Sequence, residues 1–441
     1  MTGEAPGELE VCGLRVLFHT FGCKVNQYDS ESLANLLRER GHEVVQDLAA
    51  ADVVVVNTCT VTKEGERKAR QWIRQIAQKY RDKKLVVTGC YAQTNPEELA
   101  SLPGIALVTG VKDREALVDW VDKLDGRPEP AVEVSLWSEQ ERLQWHPADF
   151  PFRTRAFLKI EDGCSANCSY CKVPQARGPV RSLAPDKLRS EFARLLAKGH
   201  REIVLAGIHL GCYGQDLGTD LTEAVEVADG FAGDYRFRLS SVEPTDFTPA
   251  LLEALKHAAH LCPHLHIPLQ SGSRTVLRRM GRDYSPEQYG ELLTALRSAI
   301  PGLAVTTDVI VGFPGETEEE FQETMTFVAA QAFSGVHVFP FSRREGTAAY
   351  YLPEQIPRQV KQDRSRRLIR LAEELGQAFL QQFPGRTIRV LVEEHPAARV
   401  SEGFSEHYLR TRLTGEYPVG SFVLGRVTGV AEGMLLATPV T

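Results

Sequence analysis

Six times between residues 151 and 380, a short strand-forming run is followed by a change to helical periodicity. The strand runs lie near "AFLKI", "EIVLAGI", "RFRLSS", "HLHIPL", "AVTTDVIVGF" and "GVHVFPFS". Helices between them begin near Pro185, Leu221, Pro249, Pro286 and Thr317. Parallel strands need crossovers long enough to hold a helix, and a helix between every two strands makes the sheet parallel. The last start carries a capping box, in which Thr317 accepts from the Glu320 amide and Glu320 reaches back. The pattern predicts an α/β fold whose centre is a partial (β/α)6 barrel. In such barrels the chemistry sits at the carboxyl ends of the strands.

Two further regions flank this one. Residues 13–125 read β-α-β-α-β, with strands "LRVLFHTFG", "ADVVVVNTC" and "KLVVTGC" and a first helix that Gly41 helps to end. A three-layer α/β domain with a parallel sheet is expected there. Residues 126–150 are rich in Pro and charge and read as a linker. Residues 381–441 hold short strands with Gly turns, "TIRVLVEEH", "HYLRTRLTGE", "SFVLGRVTGVAEG" and "MLLATPV", which predict a small β-barrel.

At 441 residues the chain can bury several cores without disulfide staples. The opening "MTGEAPGELEVCGLRV" is acidic and has no apolar centre, and no apolar run reaches membrane-spanning length, so a cytoplasmic protein without membrane contact is expected. The net charge of −7 argues against a surface that is basic throughout, though not against a local basic face. Residues 63–84 carry nine Lys/Arg against three Asp/Glu, and residues 343–370 carry eight against three. Each segment is a solvated helix face or a phosphate-tracking surface.

Nine cysteines are unevenly spread. In a reducing compartment, clustered cysteines serve metals or catalysis more than disulfides. Cys164, Cys168 and Cys171 form C-x3-C-x2-C directly after the first strand of the central region. Three thiolates hold three corners of a four-iron cluster and leave the fourth iron open. A zinc site with a distant fourth ligand and plain loop cysteines are the alternatives. Cys23, Cys59 and Cys90 each follow one of the three strands of the first region. The carboxyl ends of parallel strands in an open sheet share one crevice, so these three thiols are expected to converge on a second open cluster. Cys12, Cys212 and Cys262 follow no pattern and read as free thiols.

On these residues the chain resembles a known family. "GCSANCSYC" is similar to the cysteine motif of radical SAM enzymes. "GCKVNQYDSE", "NTCTVT" and "TGCYAQ" resemble the three cluster segments of the radical SAM methylthiotransferases. "CKVPQARGPVRS", "LSSVEP", "IPLQSGS", "GFPGETEEEF" and "FSRREGTAA" resemble further motifs of that family, whose C-terminal TRAM domain falls where the small barrel is expected. Lys172 departs from the pattern, standing where the family more often has an aliphatic residue. Within the family, "GCKVNQ" is most similar to the branch acting on N6-threonylcarbamoyladenosine at position 37 of tRNA. The branches acting on isopentenyladenosine (GCQMN) and on a ribosomal-protein aspartate (GCPKN) read differently at the first cysteine.

The resemblance implies two 4Fe–4S clusters, S-adenosylmethionine (SAM), the anticodon loop of tRNA and an electron donor such as flavodoxin or ferredoxin, serving a monomer. SAM on the Cys164/Cys168/Cys171 cluster would yield a radical that takes the hydrogen from adenine C2, and the second cluster would carry the sulfur. Candidate SAM contacts are Tyr170, Glu243, Gln270, Asp308, Gly312 and Gly315, read against loop packing, a salt bridge, turns and an internal pair. His264, His266 and His337 read as satisfied core histidines. Arg274, Arg278, Arg279 and Arg343 are the candidate RNA contacts, with Arg282 beside them.

Overall fold

The computed structural model describes residues 13–123, 130–138 and 142–440. Cys12 and parts of the 126–150 segment lie outside the described residues. Two compact units result. The first runs to Trp137 and adds Gln144–Asp149 and Gln175–Arg177, while the second holds Phe150–Pro174 and the chain from Gly178.

In the first unit, β1 (Arg15–Thr20), β2 (Glu43–Val44), β3 (Val53–Thr58), β4 (Lys84–Gly89), β5 (Ile105–Thr109) and β6 (Ala131–Glu133) form one sheet. Its order is β2-β1-β3-β4-β5-β6, and every pairing is parallel. The four valines of β3 are fully buried because both faces are covered. Val54 and Val56 pack with Ile73 and Tyr91 on one face, and Val53 and Val55 with Leu33 and Trp120 on the other. Each such valine contributes roughly 1.5–3 kcal/mol of burial. The chain leaves β1 toward β2 on one side and returns to β3 on the other, which makes the β1/β3 junction the topological switch point.

This sheet corrects the linker reading of 126–150. Ala131–Glu133 is the edge strand beside β5, and Tyr28 Oη donates to the His146 carbonyl, so part of that segment belongs to the first unit. Three residues of extended chain amid Pro and charge leave no periodicity to read.

In the second unit, β7 (Arg155–Lys159), β10 (Glu202–Ala206) and β11 (Arg236–Leu239) form one parallel sheet, and β12 (His264–His266), β13 (Ala304–Val311) and β14 (Gly335–Pro340) form another. Single parallel bridges, Phe237 to Leu261 and Ser241 to His266, join β11 to β12, which gives the expected six strands in chain order. The five expected helices are present, and the Thr317–Glu320 capping box is formed. Between β7 and β10 a two-residue antiparallel ladder, β8 (Glu161–Asp162) with β9 (Arg181–Ser182), closes the base of the cysteine loop.

Strands β15 (Thr387–Ala397), β16 (Val400–Ser405), β17 (Arg410–Thr414), β18 (Phe422–Ala431) and β19 (Met434–Pro439) close a barrel in the order β15-β16-β17-β19-β18. This barrel is not separate from the β/α region. Its core runs into Ala304, Phe379 and Phe383, and both belong to one compact unit. A buried ion cluster ties them together. Glu202 accepts from Arg236 and Arg238, whose guanidiniums also donate to the carbonyls of Arg389, Phe404, Ser405 and Glu406. The helix Arg358–Leu380 carries six of the eight Lys/Arg of the 343–370 segment. Its Arg364 is buried and donates to the Glu316 carboxylate, 2.7 Å away.

Candidate functional site

In the first unit the three thiols lie where the switch point puts them. Cys23 caps the helix Lys24–Glu39 after β1, Cys59 follows β3, and Cys90 opens the helix Cys90–Thr94 after β4. Glycine at 22 is required: its φ is +107°, and a Cβ there would lie 2.9 Å from Cys59 Cβ and 3.2 Å from its sulfur. Asn26 ties the turns together. Its Nδ2 donates to the Phe21 and Thr58 carbonyls, and its own carbonyl accepts from Asn57 Nδ2. Burial pushes the Cys59 thiol up to about 12, and Cys90 and Cys23 push in the same direction. The same segments therefore bring the three cysteines within electrostatic reach of one another.

Arg177 completes this site. Its side chain is fully buried, Nε donates to Cys90 Sγ at 3.2 Å, and Nη1 pairs with Asp29 at 2.8 Å. Asp29 also pairs with Arg114 at 2.7 Å. Sequence reading missed Arg177, Asn26 and Asn57. All three stand inside quoted motifs ("VPQARG", "GCKVNQ", "NTC"), and only the cysteines of those motifs were read for chemistry.

In the second unit the loop from Cys164 to Cys171 is held at several points. Gly163, at φ +99°, lets the chain pass so close to Pro179 that a Cβ would sit 1.9 Å from its carbonyl oxygen. The Cys164 amide donates to the Gly178 carbonyl, and the Ser169 amide to the Met280 carbonyl. The Ala166 amide and Arg282 Nη1 point at the sulfurs of Cys164 and Cys168, at 3.4 and 3.3 Å. His209 Nδ1 lies 3.5 Å from Cys164 Sγ, while its Nε2 is 2.9 Å from Asp246. Burial pushes the Cys171 thiol up to about 12, and Cys168 and Cys164 add to the shift.

None of the eight described cysteines forms a disulfide. A buried neutral thiol surrounded by N–H donors is poorly matched, because sulfur accepts well only as thiolate. A metal resolves the conflict by deprotonating its thiol ligands. Both triads therefore suit an iron–sulfur cluster held at three corners.

The proposed SAM contacts are spread over the cysteine loop (Tyr170), the strand ends (Glu243, Gln270, Gly312 and Gly315) and the interior of β13 (Asp308). Tyr170 packs edge-on to Phe313, with centroids 6.5 Å apart. Glu243 follows β11 and accepts from Arg282 Nη2. Gln270 has φ +64°, a strained conformation for a side chain of its kind, and exchanges backbone hydrogen bonds with Asp308 and Ile310 on β13. Gly312 and Gly315 both have φ +72°. The side-chain space at Gly312 is filled by the Lys361 stem, and the Gly315 amide donates to the Glu354 carbonyl. Asp308 has an internal partner, His266 Nε2 at 3.2 Å. With His337 these two form the one group of three such ligand atoms within 4.8 Å of each other among the described residues. The core reading holds for His264 but not for half-buried His266 or exposed His337. Lys172 is buried at the start of the helix Val173–Arg177.

Of the arginines, Arg274 and Arg278 line a cleft of about 290 Å3 together with Arg282. Arg279 instead pairs with Glu320 at 2.5 Å, and Arg343 stacks on Tyr350 at 4.2 Å while donating to its carbonyl.

Known proteins match this chain along most of its length. Residues 15–110 match the group described as uncharacterized protein family UPF0004, and residues 158–328 match the radical SAM superfamily. The second match implies a 4Fe–4S cluster and SAM, and it spans Cys164, Cys168 and Cys171. The threonylcarbamoyladenosine tRNA methylthiotransferase MtaB of Bacillus subtilis is 41% identical over 92% of this chain and 92% of its own. The protein of the same name from Thermotoga maritima is 39% identical over 95% of each. A tRNA-2-methylthio-N(6)-dimethylallyladenosine synthase of Acidothermus cellulolyticus is 35% identical over 96% of this chain and 84% of its own. Among solved structures, the radical S-adenosylmethionine methyltransferase TsrM of Kitasatospora setae shares the fold, with a TM-score of 0.56 at 17% identity over 76% of this chain and 77% of that one. No described helix is long and apolar enough to cross a membrane. The paired triads, the β/α strands behind the second one and these full-length relatives lead to one conclusion: the chain belongs to the radical SAM methylthiotransferase family.

Proposed function

We propose that the protein adds a methylthio group to C2 of N6-threonylcarbamoyladenosine at position 37 of tRNA. The observation that carries this reading is the doubled three-cysteine site, Cys164/Cys168/Cys171 after β7 and Cys23/Cys59/Cys90 at the strand ends of the first unit. One radical step needs one open cluster, and sulfur carriage accounts for a second. Relatives named for this substrate cover more than nine-tenths of the chain, which supports the choice of base.

Two 4Fe–4S clusters and SAM, when bound, supply radical formation at the substrate carbon and delivery of the methylthio group. The chain holds and shields them. Glu243, fixed by Arg282, offers a carboxylate to the SAM ammonium or ribose, and Gln270, Gly312 and Gly315 shape the strand ends beside it. Tyr170 packs on the buried Phe313, Phe341 and Met280 cluster, which keeps water from a reactive radical. Asp308, oriented by His266, is a polar group for the SAM or the base. Arg274 and Arg278, which share a cleft with Arg282, take RNA phosphates. Flavodoxin or ferredoxin would supply electrons to a cytoplasmic monomer whose C-terminal barrel, residues 381–441, is TRAM-like.

The test is to reconstitute the protein anaerobically and supply SAM, reductant and tRNA carrying either N6-threonylcarbamoyladenosine or isopentenyladenosine. Nucleosides are then read by mass spectrometry. Methylthiolation of the first base alone is expected. Methylthiolation of isopentenyladenosine, or of a ribosomal-protein aspartate offered in parallel, would overturn the assignment. Iron and sulfide should fall from two clusters to one in each of two variants, one with Cys164, Cys168 and Cys171 changed to Ala and one with Cys23, Cys59 and Cys90 changed to Ala.

A further inference from the structure

Residues along β13 alternate between the two faces of the sheet. Thr307 and Val309 are fully buried on the helix side, where Thr307 Oγ1 accepts from the Leu269 amide and from Tyr289 Oη of the helix Pro286–Ala299. Thr306 and Asp308 therefore face the other way, into the hollow of the β/α strands. In the register of the sheet His266 lies beside Thr306 and His337 beside Asp308, so both imidazoles stand on that inner face.

His266 Nε2 is 3.2 Å from Asp308, and one ligand atom each of His266, Asp308 and His337 all lie within 4.8 Å of one another. A tetrahedral cation with bonds of about 2.1 Å keeps its ligand atoms about 3.4 Å apart, which a small turn of one side chain reaches from here. The other nitrogen of His266 is fixed as in metal-binding histidines. Nδ1 is 2.9 Å from Thr306 Oγ1, which is 3.1 Å from His264 Nε2. Thr306 can accept from the Nδ1–H and give its own proton to His264, which leaves the Nε2 lone pair of His266 toward Asp308. A lone pair against a carboxylate calls for a cation between them.

His337 separates a metal from a shared proton. A proton satisfies His266 and Asp308 alone, and His337 is exposed, so burial gives it no reason to turn to the same point. Two imidazoles and one carboxylate on one side of a cation suit Zn2+ or Fe2+ and leave positions open. An anionic oxygen fills such a position. The threonylcarbamoyl group of the proposed substrate ends in a carboxylate, whereas an isopentenyl group has no oxygen to offer.

We propose that His266, Asp308 and His337 bind a divalent transition-metal cation whose open positions take the carboxylate of the threonylcarbamoyl group. The inference rests on the substrate read under the proposed function, and it turns Asp308 toward the base.

The test starts from the anaerobically reconstituted full-length protein, in which iron and sulfide occupy the cluster thiols. Zinc retained after dialysis against buffered Zn2+ is counted by mass spectrometry in the wild type, His337→Ala and Asp308→Asn, with iron counted in the same samples. The wild type should hold about one zinc ion more than either variant at equal iron. Equal zinc in all three overturns the inference. Fluorescence anisotropy then reads binding of tRNA carrying N6-threonylcarbamoyladenosine and of the same tRNA with plain adenosine at position 37. Zinc should tighten the first by about tenfold or more in the wild type only, and leave the second unchanged. A bound zinc that moves both tRNAs alike, or neither, overturns the inference. If circular dichroism shows His337→Ala unfolded, Asp308→Asn, which keeps the shape of the side chain, decides alone. Methylthiolation of isopentenyladenosine would refute the substrate reading, a result distinct from a missing site because zinc is counted with no RNA present.

Discussion

Replacing Glu202 with Gln preserves shape and removes the one anion between Arg236 and Arg238. Glu202 is 0% exposed, and although burial alone would raise its pKa, Arg238 and Arg236 hold it down to about 2 from the ordinary 4.5. A shift of that size corresponds to roughly 3 kcal/mol at about 1.4 kcal/mol per unit. It agrees with the 3–5 kcal/mol typical of breaking a buried pair on one side. Because the pKa is depressed on folding, this stabilisation is complete above about 4.5 and is lost as pH falls toward about 2. Glu202→Gln should therefore destabilise the second unit by about 3 kcal/mol near neutral pH, and the gap to wild type should close below pH 4.5. Hydrogen exchange at Arg389 and Phe404–Glu406, whose carbonyls the two arginines hold, reads the loss locally. The four tryptophans, Trp72, Trp120, Trp137 and Trp145, all lie in the first unit, so their fluorescence transition is an internal control and should not move. A loss below about 1 kcal/mol, the scale of an exposed pair, would refute the reasoning.

Two further outcomes follow from local geometry. Gly22→Ala places a Cβ 2.8 Å from Asn26 Nδ2 and 2.9 Å from Cys59 Cβ at φ +107°, so iron after anaerobic reconstitution should drop from two clusters to one; full iron content would show that the turn can yield. Burial pushes Glu161 up to about 8, Asp162 adds to it, and donation from the His209 amide opposes it. A raised carboxyl pKa binds a proton on folding, so stability is lost as pH rises from about 4.5 to about 8; Glu161→Gln should flatten that arm of the pH–stability curve, and an unchanged slope would count against it.

Much of the fold was legible because its elements carry period and punctuation. All six strands of the β/α region lie on the short apolar runs read as strands, and each expected helix begins at a Pro, Leu or capping Thr. β2, β5 and β6 were not legible. Glu43–Val44 and Ala131–Glu133 are too short for any period, and "IALVT" in β5 is a buried apolar run that suits strand and helix alike. The cysteines were readable because topology alone brings the ends of parallel strands together. Their arginines were not, since Arg177 reaches Cys90 across 87 residues of sequence and Arg282 reaches Cys168 across 114. No local pattern encodes such pairs. Among the expected RNA contacts, Arg274 and Arg278 lie four residues apart on one helix face and share a cleft, whereas the adjacent Arg279 points to Glu320.

The clamp around Glu202 also sets an order of events during synthesis. Arg236 and Arg238 reach their barrel carbonyls across as many as 168 residues. At roughly 5–20 residues per second, the β/α strands leave the ribosome some ten to thirty seconds before those carbonyls exist. The barrel closes later still, because β19 pairs with both β17 and β18 and is made last of the five. For that interval the nascent chain presents a half-built ionic seam to water, where its arginines stay hydrated and Glu202 is their only fixed partner.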